Sequence, residues 1–152
     1  MRTARDRFWT VLESVRPDLS RLADWLESAS RTQIVAFQAE FEAAKEDLAD
    51  YSEGIRFNGT TTSEDATQDI CAWIVGQGRV AWEAAFSRKS DLSAYAQEHQ
   101  DSESQVSTKG VWNDSGLGEK YRGSRSPAIL AYCIYEDRFG DSLYDAIDES
   151  MT

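Results

Sequence analysis

"IVAFQAEFEAAKEDLADY", residues 34–51, decides how the rest of this chain is read. Ile34, Phe37, Phe41, Ala44, Leu48 and Tyr51 recur in steps of three and four, which is the spacing of one face of an α-helix. Glu40, Glu42, Glu46, Asp47 and Asp50 occupy the outer face, where such a run is ordinarily solvated. The stripe has the form of a coiled-coil seam but is too short to sustain one, so the spacing predicts a helix over 34–51 packed within a bundle. Phe37, Phe41 and Leu48 are its expected core residues. Ser30 and Gln33 stand just ahead of it at capping-box spacing and mark where it starts.

Helical signals continue in both directions. Thr3 and Asp6 have capping-box-like spacing, and Phe8, Leu12 and Val15 fall on one face of a first helix. Pro17 interrupts it and is expected to open a second, because proline suits a first turn but not an interior. Leu19, Leu22, Ala23 and Leu26 form that helix's apolar stripe. After residue 51, Gly54 and "FNGTTTS" break the pattern. Thr62 or Ser63 can cap a following helix whose first turn holds Glu64 and Asp65, favourably placed at its positive end. That helix is expected to run to near Ser87, with a short one beginning near Ser90. Ser126 and Pro127 restart helix as N-cap and first residue. Gly140 ends it, and Asp141 or Ser142 caps a last short helix holding Leu143 and Ile147. No alternating strand pattern and no internal repeat stands out. The expectation is an all-α fold, a single compact bundle of about six helices forming one domain over residues 1–152.

From about Glu98 to Arg125 the chain turns polar and rich in Gly and Ser, a length without regular structure that compact domains rarely contain. Val111, Trp112, Leu117 and Tyr121 offer it anchors. A packed functional loop and a partly disordered insert are both compatible with the composition.

The chain carries 27 acidic and 16 basic residues, a net charge of −11, with 41% hydrophobic residues. This is a globular composition. The charge argues against nucleic acid, whose phosphates require Lys and Arg, and favours either plain solubility or a basic protein partner. No apolar run approaches the roughly 20 residues of a membrane span, and no apolar segment follows the basic N-terminus as in a secretion signal. A cytoplasmic location is expected. Cys71 and Cys133 lie in apolar helical contexts, "DICAWI" and "LAYCIYE", where reduced cysteine acts as a small hydrophobe. No cofactor or metal is expected. His99 is the only histidine and stands far in sequence from either thiol, which disfavours a nucleophile–base pair. "SGLGEKYRG" lacks the spacing of a phosphate-binding loop. Glu64, Asp65 and Asp69 read more simply as capping charges than as cation ligands. Trp9, Trp25 and Trp82 are either core edges or the seed of an interface.

"CAWIVGQGRV", residues 71–80, carries the polar pair of most interest. Read as part of one continuous helix, Gly76 and Gly78 each cost about 1 kcal/mol relative to Ala. Close approach of another segment is the usual compensation. Gln77 falls in the apolar stripe and needs partners, and Arg79 points elsewhere and can pair with Glu83. A network pinning a loop and an anion-recognising site both fit these residues.

"RFWTVLE", "TQIVAFQAEF" and "AWIVGQGRVAWEAAF…SDLSAYA" follow one another in an order that resembles the bacterial DUF4240 family, a domain family without an assigned activity. Its members open with an FW-x-L-I-E element, continue with an E-I-x-x-F helix, and carry W-L-I-x-Q-G-R before a helix ending in D-x-L. The resemblance spans about residues 7–96. It departs at "FNGTTTSEDATQDI", which keeps Glu64, Asp65 and Asp69 but lacks the tryptophans and the Gly-Cys pair usual there. Nothing beyond residue 97 matches. The resemblance implies a helical bacterial protein and points to Trp73, Gln77, Gly78 and Arg79, and it supplies no activity. Two functional expectations follow. The first is a non-enzymatic protein-binding module, immunity- or inhibitor-like, using an acidic surface that includes Glu42, Glu46 and Asp50. The second is a small-ligand-binding protein or enzyme with a polar site around Gln77 and Arg79.

Overall fold

A computed structural model describes residues 3–50, 55–121 and 126–151. The fold is all-α apart from one small hairpin, with 69% of the described residues helical. In chain order the elements are α1 (Ala4–Val15), α2 (Leu19–Ser28), α3 (Arg31–Ala49), β1 (Arg56–Phe57), β2 (Thr60–Thr61), α4 (Glu64–Gly76), α5 (Arg79–Phe86), α6 (Ser93–Glu103), a 3-10 turn (Glu119–Tyr121), α7 (Pro127–Phe139) and α8 (Leu143–Ser150). Contacts divide the chain into two compact units. One comprises Met1–Phe41 with Trp112–Thr152, and the other Glu42–Val111.

The capping signals act where the sequence puts them. Thr3 Oγ1 accepts from the Asp6 amide at 3.0 Å and Asp6 Oδ2 accepts from the Thr3 amide at 3.1 Å, a reciprocal capping box. Ser30 and Gln33 make the same exchange at the head of α3, at 3.1 and 2.8 Å. Ser63 caps α4, Ser126 caps α7 with Pro127 at its first position, and Ser142 caps α8. Gly140 closes α7 in the left-handed conformation, at φ 77°.

In the first unit, Phe8 of α1 packs against Phe37 and Phe41 of α3 with ring centroids 5.1 and 5.7 Å apart, and Trp25 of α2 lies 5.2 Å from Phe37. Trp9 is 3% exposed, so it belongs to the core and not to a docking surface. Gln38 is fully buried in the same region and donates from Nε2 to the Ala128 carbonyl at 2.9 Å. In the second unit, Leu48, Ile55, Ile70, Ile74 and Leu92 are buried together, with Trp82 packed alongside and donating to the Ala44 carbonyl at 2.9 Å. The expected core residues of α3, Phe37, Phe41 and Leu48, are all buried. Tyr51, the last member of that stripe, lies outside the described residues.

Several expectations are corrected. Pro17 does not open α2. Its carbonyl accepts from the Asn113 amide at 2.7 Å, and the Leu19 amide donates to the Asn113 carbonyl at 2.9 Å. That short parallel bridge holds Asp18 extended after a turn through Pro17, so the helix starts two residues after the proline. The helix expected from residue 62 or 63 to near 87 is two helices, α4 and α5, which raises the helix number among the described residues to eight. The hairpin was not anticipated. Asn58 and Gly59 both take positive φ, 53° and 80°, and pair Arg56 with Thr61 and Phe57 with Thr60. Finally, the long polar loop does not begin at Glu98. α6 continues to Glu103, supported by Gln97 donating to Asp101 at 2.8 Å and Gln100 to Ser104 at 3.0 Å.

Candidate functional site

The stretch 71–80 is a helix, a break and a helix. α4 stops at Gly76. The amides of Gln77 and Gly78 fold back onto the carbonyls of Ile74 and Val75, both at 3.0 Å, which tightens the last turn. Gly78 then adopts φ 103° and ψ 176° and serves as N-cap of α5, its carbonyl accepting from the Trp82 amide at 3.0 Å. A side chain at that φ would be strained, so the second glycine answers a backbone requirement.

A close approach at this stretch is made by Gly110, on the loop after α6. A Cβ there would clash with the indole nitrogen of Trp73 and lie 3.1 Å from Gln77 Cδ. The loop is held in that position from α6: Ser102 Oγ donates to the Lys109 carbonyl at 2.5 Å, and Lys109 Nζ pairs with Glu98 at 2.9 Å. Gln77 is half-buried beneath it and donates from Nε2 to the Trp73 carbonyl at 3.4 Å. Trp73 Nε1 is buried without a hydrogen-bond partner among the described residues. His99 completes the corner, its ring 5.5 Å from the Trp73 ring at an interplanar angle of 68° and its Nε2 3.4 Å from Glu103. Of these, Gly110 and His99 were not among the residues singled out as a site. Gly110 stands directly before the anchors Val111 and Trp112, which was the available signal.

Arg79 is about half exposed and pairs with Glu83 at 3.0 Å, one turn along α5. Gln77 thus faces the loop, and Arg79 faces its own helix.

The acidic stripe of α3 is less open than its sequence suggests. Glu42 and Glu46 are half-buried, and only Asp50 is exposed. Lys45 sits among them and pairs with Glu42 at 2.6 Å. Burial raises the pKa of Glu46 above its usual 4.5. Lys45 opposes that shift, while the nearby carboxylates of Asp50 and Glu42 add to it. Cys71 lies fully buried on α4, and burial, with Glu46 adding its charge, pushes the thiol up to about 12. It is chemically quiet at neutral pH.

In the first unit, Trp112 and Leu117 are buried anchors, whereas Val111, at the end of the second, is exposed. Tyr121 is held by carboxylates from two helices: its hydroxyl is 3.3 Å from Glu27 Oε1 and 3.1 Å from Asp137 Oδ2, and it can donate to one at a time. Lys120 pairs with Asp137 as well. These hydrogen bonds from Lys120 and Tyr121 hold Asp137 below the ordinary carboxylate range, and burial followed by the hydrogen bond to Asp137 raises Tyr121. The arrangement fastens the 3-10 turn to α2 and α7. Among the described residues no group of three or more His, Cys, Asp and Glu is placed to hold a metal ion. Likewise no described helix is long and apolar enough to cross a membrane. No family model matches the chain, and neither do the curated proteins or the solved structures.

Proposed function

We propose that this chain is a non-enzymatic protein-binding module, immunity- or inhibitor-like, that engages a basic partner through its acidic surface. The observation that carries this reading is the net charge of −11 on 152 residues. A field of that sign accelerates encounter with a cationic protein and repels phosphate backbones. A cytoplasmic, bacterial setting belongs to the same proposal, supported by two cysteines that form no disulfide.

The alternative, a small-ligand or catalytic site around Gln77 and Arg79, has weaker support. The two side chains are engaged by different neighbours, Gln77 by the Gly110 loop and Arg79 by Glu83. The test is capture of the partner from the source cell, followed by binding kinetics at two salt concentrations. Under the proposal the on-rate falls with added salt and Arg79→Ala leaves it unchanged. A salt-independent on-rate, together with activity or anion binding abolished by Arg79→Ala, would transfer the function to the alternative.

A further inference from the structure

The chain contains two asparagines, Asn58 and Asn113, and only the first precedes a glycine. We propose that Asn58–Gly59, at the tip of the β1–β2 hairpin, is a site of spontaneous covalent modification: deamidation through a succinimide, with aspartate and isoaspartate as products. This inference goes beyond the acidic-surface reading and does not depend on it.

The Gly59 backbone nitrogen attacks Cγ of the Asn58 side chain. The N–Cγ bond forms, the Cγ–Nδ2 bond breaks, and the departing nitrogen takes up protons and leaves as ammonia. Water then opens the ring. Attack at Cγ restores the main chain and leaves aspartate. Attack at the Asn58 main-chain carbonyl leaves isoaspartate, in which the main chain runs through Cβ and Cγ. Water is the sole co-reactant, and nothing is oxidised or reduced.

The hairpin leaves both reacting groups free. Asn58 and Gly59 are exposed. Neither the Asn58 side chain nor the Gly59 amide is hydrogen-bonded among the described residues. A Cβ on Gly59 would meet nothing within 4 Å, so the space beside the turn is open, and glycine brings no side chain to shield its own nitrogen. The bonds that close the turn use other atoms. The Arg56 guanidinium donates to the Gly59 carbonyl at 3.2 Å, and the Thr60 hydroxyl donates to the Phe57 carbonyl at 3.0 Å. Each strand is only two residues long, and so short a pairing opens at little cost, which lets the turn bring nitrogen and Cγ together. Asn113 is the contrast within the same chain. Its Nδ2 donates to Asp18 at 3.2 Å, its Oδ1 accepts from the Ser115 amide at 3.0 Å, and Asp114 follows it.

The two products differ in consequence. Aspartate keeps the main chain, and Asp-Gly suits the same turn as Asn-Gly. Isoaspartate adds a methylene to the main chain inside a two-residue turn, which breaks the pairing of Phe57 with Thr60. Phe57 packs against the cluster of Leu48, Ile55 and Ile70, so the disturbance reaches the core of the second unit.

The experiment ages the full chain in warm, mildly alkaline buffer made with isotopically heavy water. Digestion with trypsin follows in slightly acid buffer, which halts conversion during preparation. Cleavage after Arg56 and Arg79 isolates residues 57–79, and cleavage after Lys109 and Lys120 isolates residues 110–120, each with one asparagine. The 57–79 peptide is expected to exchange its amide for a labelled oxygen and to split into two products, isoaspartate the larger, while 110–120 stays unchanged. Asn58→Asp should show no such exchange of nitrogen for oxygen, and Asn58→Gln, which needs a larger ring, should convert far more slowly. The isoaspartate form, separated by chromatography, should melt below the parent, and Asn58→Asp should melt with it. An unchanged 57–79 peptide from the folded chain, beside conversion of the same synthetic peptide, would overturn the proposal by showing that the turn protects Asn58. Equal conversion of both asparagines would also overturn it, because the reaction would then follow unfolding. An isoaspartate form as stable as the parent would overturn the loss of register.

Discussion

Gly78 and Gly110 are required for different reasons, and their alanine variants separate the two. Gly78 sits at φ 103° and ψ 176°, a region open in practice to glycine alone. Gly78→Ala is expected to cost about 1–3 kcal/mol from backbone strain. Gly110 is also at positive φ, 72°, and adds a collision with Trp73 and Gln77. Gly110→Ala should therefore lower the melting temperature and also change Trp73 fluorescence, which Gly78→Ala should affect less. Thermal melts alongside emission spectra decide the matter, and two variants as stable as the parent would contradict both accounts. Tyr135 predicts the opposite sign. Its side chain is fully buried, and its hydroxyl has no hydrogen-bond partner among the described residues. A buried polar group without a partner costs about 1–3 kcal/mol, so Tyr135→Phe is expected to leave the melting temperature unchanged or raise it. A clear loss of stability would reveal a partner for that hydroxyl.

Among the elements, those with two agreeing signals were the readable ones. α1 and α3 each combine a cap residue with a three-and-four stripe, α7 combines its cap with a proline at the first position, and each starts within a residue of its expected place. The α4–α5 break was harder to read because the apolar pattern runs straight through it and only the positive φ at Gly78 interrupts it. Propensity records that a glycine is present but not which conformation it takes. The hairpin was legible in principle, since Asn-Gly is the strongest short hairpin signal, but its two-residue strands leave no alternation to confirm it. The pairing of Asp18 depends on Asn113, nearly a hundred residues away, and local reasoning has no access to it. α3 also carries a pH prediction. The folded-state pKa of Glu46 is raised above 4.5, chiefly by burial, so the folded chain holds that proton more tightly than the unfolded one. The associated stability is present below the unfolded pKa and lost as pH rises through the raised folded value. Glu46→Gln should accordingly be more stable than the parent at neutral pH, and the difference should shrink at acid pH. Urea unfolding at two pH values measures it. A variant less stable at neutral pH would mean that Lys45 outweighs the burial and the carboxylate repulsion.

For the whole molecule, net charge was the most legible functional feature, and its distribution was the least. Composition gives −11 directly. That Glu42 and Glu46 are half-buried around Lys45, while α8 presents its carboxylates beside exposed Tyr144 and Met151, follows from packing that no local pattern reports. The same charge has two consequences that salt should drive in opposite directions. Like charges repel within the folded chain, which destabilises its compact state. Screening over a Debye length of about 8 Å near physiological ionic strength relieves that repulsion, so the melting temperature is expected to rise as salt is added. The proposed association with a basic partner would rely on the unscreened field, so its on-rate is expected to fall across the same range. Melting curves and association kinetics in one salt series test both. A rise in melting temperature with a constant on-rate would leave the charge a role in solubility and remove it from recognition.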